Sequence, residues 1–356
     1  MFGVRAVILS LFLGFFGIYG CSRVDADEDG WDERLDCDDH DPLVHPGAGS
    51  ACLASYAPPC DGDLKSLLLD VLWQAPDRDS DGYVRVDSSA VAAIGESLSA
   101  AWVANIDGAQ DWAEEAGYRI CRLQGRSVVA WVPDSAHRGA PIWFVNTHPL
   151  ARGLVLEVPH PLYDIGTPDQ GRAGFLVSQG RALIVAGSHR CASFTPSGCD
   201  GSTSACGAIS GPYPVSDSAH IATELFHFVH TRIAAQWPST VIFSLHGMTD
   251  TGVSISNGTT TTIASDAPRV IPDVVAAYQR NFPTATVTTC NDYAGAPIQE
   301  RLCGTTNVQG RQLNGATDPC ISAATDVSHR FVHVEQDSEL RDYPDSFAAL
   351  LQELFP

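Results

Sequence analysis

The chain has 356 residues, 44% of them hydrophobic, and carries 42 acidic against 21 basic side chains, a formal net charge of −21. A field of that sign disfavours nucleic acid and anionic lipid surfaces as partners. The length leaves room for one sizeable domain beyond any leader, and after the first twenty residues no apolar stretch is long enough to span a bilayer.

The first element in chain order is a lone Arg5 followed by an apolar run over residues 6–19, the layout of a secretory signal spanning 1–20. It closes on Ile18-Tyr19-Gly20-Cys21, which resembles the bacterial lipobox, where a small residue precedes a cysteine that is acylated and becomes the new N-terminus. That resemblance implies lipidation of Cys21 and membrane attachment through that residue alone. Because Ser22 follows it in place of aspartate, it also implies the outer membrane of a Gram-negative cell envelope. Setting Cys21 aside from the eleven cysteines leaves an even set, which an oxidising compartment lets pair.

Residues 21–60 form an acidic leader containing Asp25, Asp27, Asp29 and Gly30, then Asp36, Cys37, Asp38, Asp39, Asp41 and His45-Pro46-Gly47. Alternating aspartates before a glycine set oxygen ligands on one side of a tight loop, as calcium requires. The run resembles the acidic metal-binding repeat of exported bacterial proteins. That implies calcium at Asp25, Asp27, Asp29, Asp36 and Asp38, and pairing of Cys37 with a nearby cysteine, most simply Cys52. By composition alone it reads as a solvated acidic spacer. Between 61 and 117, helix-like stretches at 64–74 and 89–101 flank Asp77, Asp79, Asp81 and Gly82. An EF-hand loop needs a carboxylate at its twelfth position, which here is Ser88, with Asp87 one step early. The segment reads equally as a weak calcium loop and as a plain connector.

From 118 to 356 the runs at 127–132, 153–158, 182–186, 240–245, 285–289 and 330–334 read as buried strands, and 170–179, 217–237, 270–282 and 345–354 as helices. In the longest helix Ile221, Leu225, Phe228, Val229 and Ile233 recur on one face. The alternation predicts an α/β fold, an open, mostly parallel or mixed sheet with helices on both faces. Ligands in such folds sit at the carboxyl ends of strands.

Two strand ends carry histidine there, His160 after one apolar run and His246 after another, and Asp164 shares a loop with His160. Two imidazoles and a carboxylate, with a fourth position open, form the ligand set of a catalytic zinc site. This order of features resembles the zinc-dependent carboxypeptidase-like hydrolases, including N-formylglutamate amidohydrolases and poly-γ-glutamate hydrolases. The resemblance implies a phosphorylase/hydrolase-like fold, one zinc per chain on His160, Asp164 and His246, and a peptide or N-acyl amino acid substrate. It also makes Glu335, in Val332-His333-Val334-Glu335-Gln336, the base that activates the attacking water, with Arg341 following. The chain departs from the family at the acidic ligand. Carboxypeptidases use His-x-x-Glu, whereas Asp164 stands four residues after His160, and Glu157 is an alternative inside the strand.

Supporting roles follow from position. Arg190 follows another predicted strand and is the candidate oxyanion donor. The stretch 304–315 reads either as a binding loop, with Arg311 as substrate clamp and Asn307 and Asn314 as donors, or as a disulfide-tied surface loop between Cys303 and Cys320. His227 and His230 read as structural, His220 as bordering the cleft, and His189 and His333 as supports behind the ligands. Local bridging among Cys191, Cys199 and Cys206, for example Cys199 to Cys206, would stiffen a lid. No Gly-x-Ser-x-Gly elbow supports serine chemistry. The competing function is a non-catalytic, calcium-stabilised binding or adhesion lipoprotein.

Overall fold

The computed structural model describes residues 25–27, 40–43 and 57–356, with 104, 208 and 294 left out of the last range. The expectations for Cys21, Asp29, Asp36, Asp38 and the Cys37–Cys52 pair lie outside the described residues, and Asp25 and Asp27 lie in the first short stretch.

Helix α1 (Leu64–Trp73) starts where the Asp63 carboxylate accepts from the Ser66 N–H. Helix α2 (Ser88–Trp102) starts on Asp87, whose carboxylate accepts from the N–H groups of Ser89 and Ala90. The acid that falls one place short of a calcium loop is thus a helix cap, which relieves two orphan donors. Helix α3 (Ile106–Glu115) follows. Next come β1 (Tyr118–Arg122), β2 (Val128–Pro133) and β3 (Ile142–Asn146), an antiparallel meander.

The parallel part begins with β4 (Arg152–Val158), α4 (Thr167–Ser178), β5 (Gly180–Val185), α5 (Leu225–Gln236) and β6 (Val241–Gly247). It continues through β7 (Val253–Ser256), α6 (Val270–Asn281), β8 (Val287–Thr289), α7 (Val308–Leu313), β9 (Phe331–Gln336), α8 (Ser338–Arg341) and α9 (Pro344–Leu354). Among the described residues these strands make one nine-stranded mixed sheet in the order β1-β2-β3-β5-β4-β6-β9-β7-β8. The expected α/β architecture with helices on both faces is what forms. One layer packs Leu67 of α1, Phe175 of α4, Val275 and Tyr278 of α6 and Phe347 of α9 against Leu156, Phe243 and Val332. The other packs Ile94 and Leu98 of α2, Ala109 and Ala113 of α3 and Val229 and Ile233 of α5 against Val155, Ile184 and Ile242. The segment 61–117 therefore shares both cores with the sheet.

Two features of this frame position a cleft. The chain leaves β4 for β5 through α4 on one face, then returns to β6, on the other side of β4, through α5 on the opposite face. In open α/β sheets such a reversal marks where ligands bind, here the carboxyl ends of β4 and β6. Helix α4 also approaches closely because it presents glycine to the sheet: a β-carbon on Gly171 would lie 2.9 Å from Val158, and one on Gly174 would lie 2.6 Å from Leu351 and 3.0 Å from Leu156.

The disulfides correct the sequence expectations. Cys60 pairs with Cys121, Cys191 with Cys206, Cys199 with Cys320 and Cys290 with Cys303. Cys199 is therefore bridged across 121 residues instead of to Cys206, and Cys303 is not tied to Cys320. Sequence proximity favoured the local pairs, but the fold brings the loop after β5 against the segment after α7.

Candidate metal centre

His160 stands two residues past the end of β4, where the backbone makes a single turn: the N–H groups of Tyr163 and Asp164 both donate to the His160 carbonyl. That turn places side chains four residues apart on one side, so Asp164 Oδ2 comes 3.1 Å from His160 Nδ1. The four-residue spacing thus brings an imidazole nitrogen and a carboxylate oxygen together. From the next strand, His246 brings its Nδ1 to 3.2 Å from His160 Nδ1 and 3.7 Å from Asp164 Oδ2. All three residues are buried, between 1% and 4% exposed.

The atoms facing one another decide what fits. Asp217 Oδ1 lies 2.8 Å from His160 Nε2 and accepts from it. The other ring nitrogen, Nδ1, faces a second imidazole nitrogen and a carboxylate oxygen, and with a cation there it would offer a lone pair. Burial, followed by the positive charge that His333 and His160 would carry, holds His246 well below the usual histidine range, in the neutral form that ligates metals. Three electron-rich atoms this close need a proton or a cation between them. Around tetrahedral zinc, donors about 2.0–2.2 Å from the ion sit roughly 3.3 Å apart, and the three separations here bracket that value. The donor set fits a divalent metal.

Asp217 is the residue that sequence reasoning missed, placing it at the start of a helix. That helix begins at Leu225, and the irregular stretch before it carries the cleft chemistry. Asp217 is fully buried and accepts from His160, from His220 Nδ1 at 2.8 Å, and from Arg190 Nε and Nη2 at 3.0 and 2.6 Å. Burial alone would raise its carboxyl, but Arg190, His220 and His160 together hold it well below the usual carboxylate range. Such a partner fixes the orientation and tautomer of a metal-binding histidine. The Tyr213 ring stacks on His220 at 3.7 Å, locking the second imidazole. A signal did exist: the acid three residues before His220 in Ser216-Asp217-Ser218-Ala219-His220.

Glu335 lies on β9 directly opposite His246 in register, and His333 opposite Ser244, so all four project from one face. His333 Nε2 lies 3.7 Å from Glu335 Oε1, while Glu335 Oε2 and His333 Nδ1 are buried without a hydrogen-bond partner. Burial and then the Asp164 charge push the Glu335 carboxyl well above its ordinary range. Ser244 Oγ lies 2.9 Å from His246 Nε2.

No family model matches the chain, and no curated protein does. Among solved structures it is similar to a protein of Shewanella denitrificans assigned as a metallopeptidase, at 9% identity and a TM-score of 0.31 over 59% of this chain and 77% of that one. It is also similar to a second protein of that organism, assigned as a carboxypeptidase A, at 9% identity and a TM-score of 0.32 over 60% of this chain and 58% of that one. A third, from Shewanella amazonensis and assigned as a metallopeptidase, gives 12% identity and a TM-score of 0.29 over 61% and 82%. At such values it is the geometry of the cleft that bears on the chemistry.

The remaining sequence candidates fall into place around it. Arg190 directs two of its nitrogens to Asp217 and lies over the Tyr163 ring at 5.2 Å. Arg311 is 4% exposed and bonded to the Asp200 carboxylate and the Thr305 carbonyl. Asn314 ties Asn257 to Ser328, and neither it nor Arg311 is hydrogen-bonded to His160, Asp164 or His246. Asn307 caps α7 through Oδ1 and reaches Ser244 Oγ at 3.4 Å through Nδ2, which leaves it beside the cleft. Glu157, the alternative ligand, pairs with His230 at 2.6 Å beneath α5. Asp77 and Asp79 engage the Arg78 backbone and guanidinium, and Asp81 accepts from the Phe194 N–H. Among the described residues, the sets of three ligand-type side chains with converging donor atoms are all at the cleft.

Proposed function

We propose that this chain is a metal-dependent hydrolase of amide or peptide bonds, with one zinc held by His160, Asp164 and His246. The observation that carries the proposal is the meeting of two imidazole Nδ1 atoms and a carboxylate oxygen at tetrahedral-edge separations in a buried crevice. When bound, the metal would polarise a scissile carbonyl and acidify water near neutral pH. Asp217 keeps His160 in its ligating tautomer. Glu335, with an unpartnered oxygen and a proton affinity raised by burial, takes a proton from the attacking water and returns it to the departing nitrogen. A peptide or N-acyl amino acid as substrate, and action at the cell envelope through Cys21, complete the proposal.

Metal analysis of the purified protein tests it. About one zinc per chain is expected, lost in His246→Ala. Glu335→Gln is expected to retain zinc and to lose hydrolysis of a panel of dipeptides and N-acyl amino acids by about a hundredfold or more. Calcium as the sole bound metal would sink the hydrolase and favour a binding protein.

A further inference from the structure

Three basic side chains from three separate elements line one cavity away from the metal ligands: Lys65 of α1, Arg126 of the turn between β1 and β2, and Arg172 of α4. Val128 opposes Asn146 and Val145 opposes Ala182, so that turn lies beside the amino end of β5. His160 and His246 stand at the other end of the sheet, where β4 and β6 finish. The cavity encloses about 350 Å³, within the range of small-molecule sites.

Local structure sets these cations in place and leaves them without strong partners. Gly125, at φ +69°, turns the chain so that the Arg126 N–H reaches the Leu123 carbonyl at 3.2 Å. Lys65 lies in the first turn of α1, a ten-residue helix whose N-terminal dipole favours negative charge. Among the described residues neither Lys65 nor Arg126 forms an ion pair. Arg172 has the exposed Asp169 at 3.4 Å, a contact of little worth in water. Asp63, the one carboxylate in the lining, caps α1 by accepting from the Ser66 N–H, and an excess of two positive charges remains. Three of the nine lining residues are basic, against 21 in 356 for the whole chain, so the cluster is concentrated where the overall field is negative. Mutual repulsion of such a cluster is offset when an anion sits among its members. The apolar part of the lining comes from Leu64 and Leu123, each 3% exposed, and from the half-buried Leu176.

We infer that this cavity binds a phosphate group carried on an apolar body. The two guanidinium forks hold phosphate oxygens, Lys65 adds a point charge, and the body lies on the leucines. The site needs neither the metal nor the hydrolase reading. Calorimetric titration of the full chain with inorganic phosphate at low ionic strength, with and without a zinc chelator, tests the cationic part. Saturable binding is expected in both conditions, weakened at least tenfold in Lys65→Gln/Arg126→Gln. Both side chains are exposed, so the double variant is expected to keep the thermal midpoint of the wild type. Dihexanoyl phosphatidic acid, below its micelle concentration, is expected to bind more tightly than inorganic phosphate, with Leu176→Asn removing the difference. Vesicles of phosphatidylcholine containing phosphatidic acid identify the source: co-sedimentation lost in the double variant assigns a lipid headgroup, and no co-sedimentation assigns a free phosphate ester. Absence of saturable phosphate binding by wild type, or equal affinity in wild type and the double variant, overturns the inference. Equal affinity of wild type for inorganic phosphate and the dihexanoyl lipid overturns the apolar body.

Discussion

Asp217 shows how one buried charge organises side chains that come from distant parts of the chain. Its partners His160 and Arg190 lie 57 and 27 residues upstream, so the local sequence marks only its pairing with His220, whereas His160 and His246 are legible because each follows an apolar run at a strand end. Replacing it with asparagine keeps the shape and removes the charge that accepts from two imidazoles and a guanidinium. Asp217→Asn is expected to lower zinc affinity by about 10- to 100-fold, measured by competition with a chelating dye. A second residue controls acid stability. His227 is buried with Nδ1 unpartnered, and burial followed by the neighbouring His230 depresses it to about 3 from an ordinary 6.5. The unfolded chain therefore takes a proton that the folded one refuses, so this contribution is complete above pH 6.5 and is lost as the pH falls toward 3. The loss amounts to about 2 kcal/mol at pH 5. Thermal unfolding of His227→Gln against wild type at pH 7.5 and pH 5 checks this: the variant should lose less stability on acidification.

At the scale of elements, the strands and helices that sequence periodicity identifies are those with continuous apolar runs, such as β4, β6 and β9. Strand β7, Val253–Ser256, is four residues with serine at alternate places, and its register against β9 comes from tertiary pairing that no local signal carries. The premature start assigned to α5 has a chemical cause: the polar residues before Leu225 resemble a helix opening but are held by the cleft. Helix α4 illustrates an element whose glycines look unfavourable until its packing is known. Gly174→Val is expected to destabilise the protein by about 1–3 kcal/mol through overpacking against Leu351 and Leu156. The midpoint of denaturant unfolding should fall accordingly.

For the whole molecule, the abundance of cysteine signals disulfides, yet their connectivity required the fold. The Cys199–Cys320 bridge closes 121 residues and joins the segment beside Arg190 to the segment after α7. In the chain-entropy view such a loop restrains the unfolded state by about 4–5 kcal/mol. The double variant Cys199→Ser/Cys320→Ser is expected to lose several kcal/mol in guanidinium unfolding, with the largest rise in amide exchange over the region around Arg190.

The position of β9 carries a further consequence. It is the last strand in sequence but lies inside the sheet, hydrogen-bonded to β6 on one side and to β7 on the other. Until it is in place, two strands present open edges of the kind that recruit other chains, and Glu335, the proposed base, is missing. A nascent or truncated polypeptide stopping short of Phe331 is therefore expected to be prone to aggregate and to lack the proposed activity, because assembly of the sheet and completion of the proposed centre are one late event.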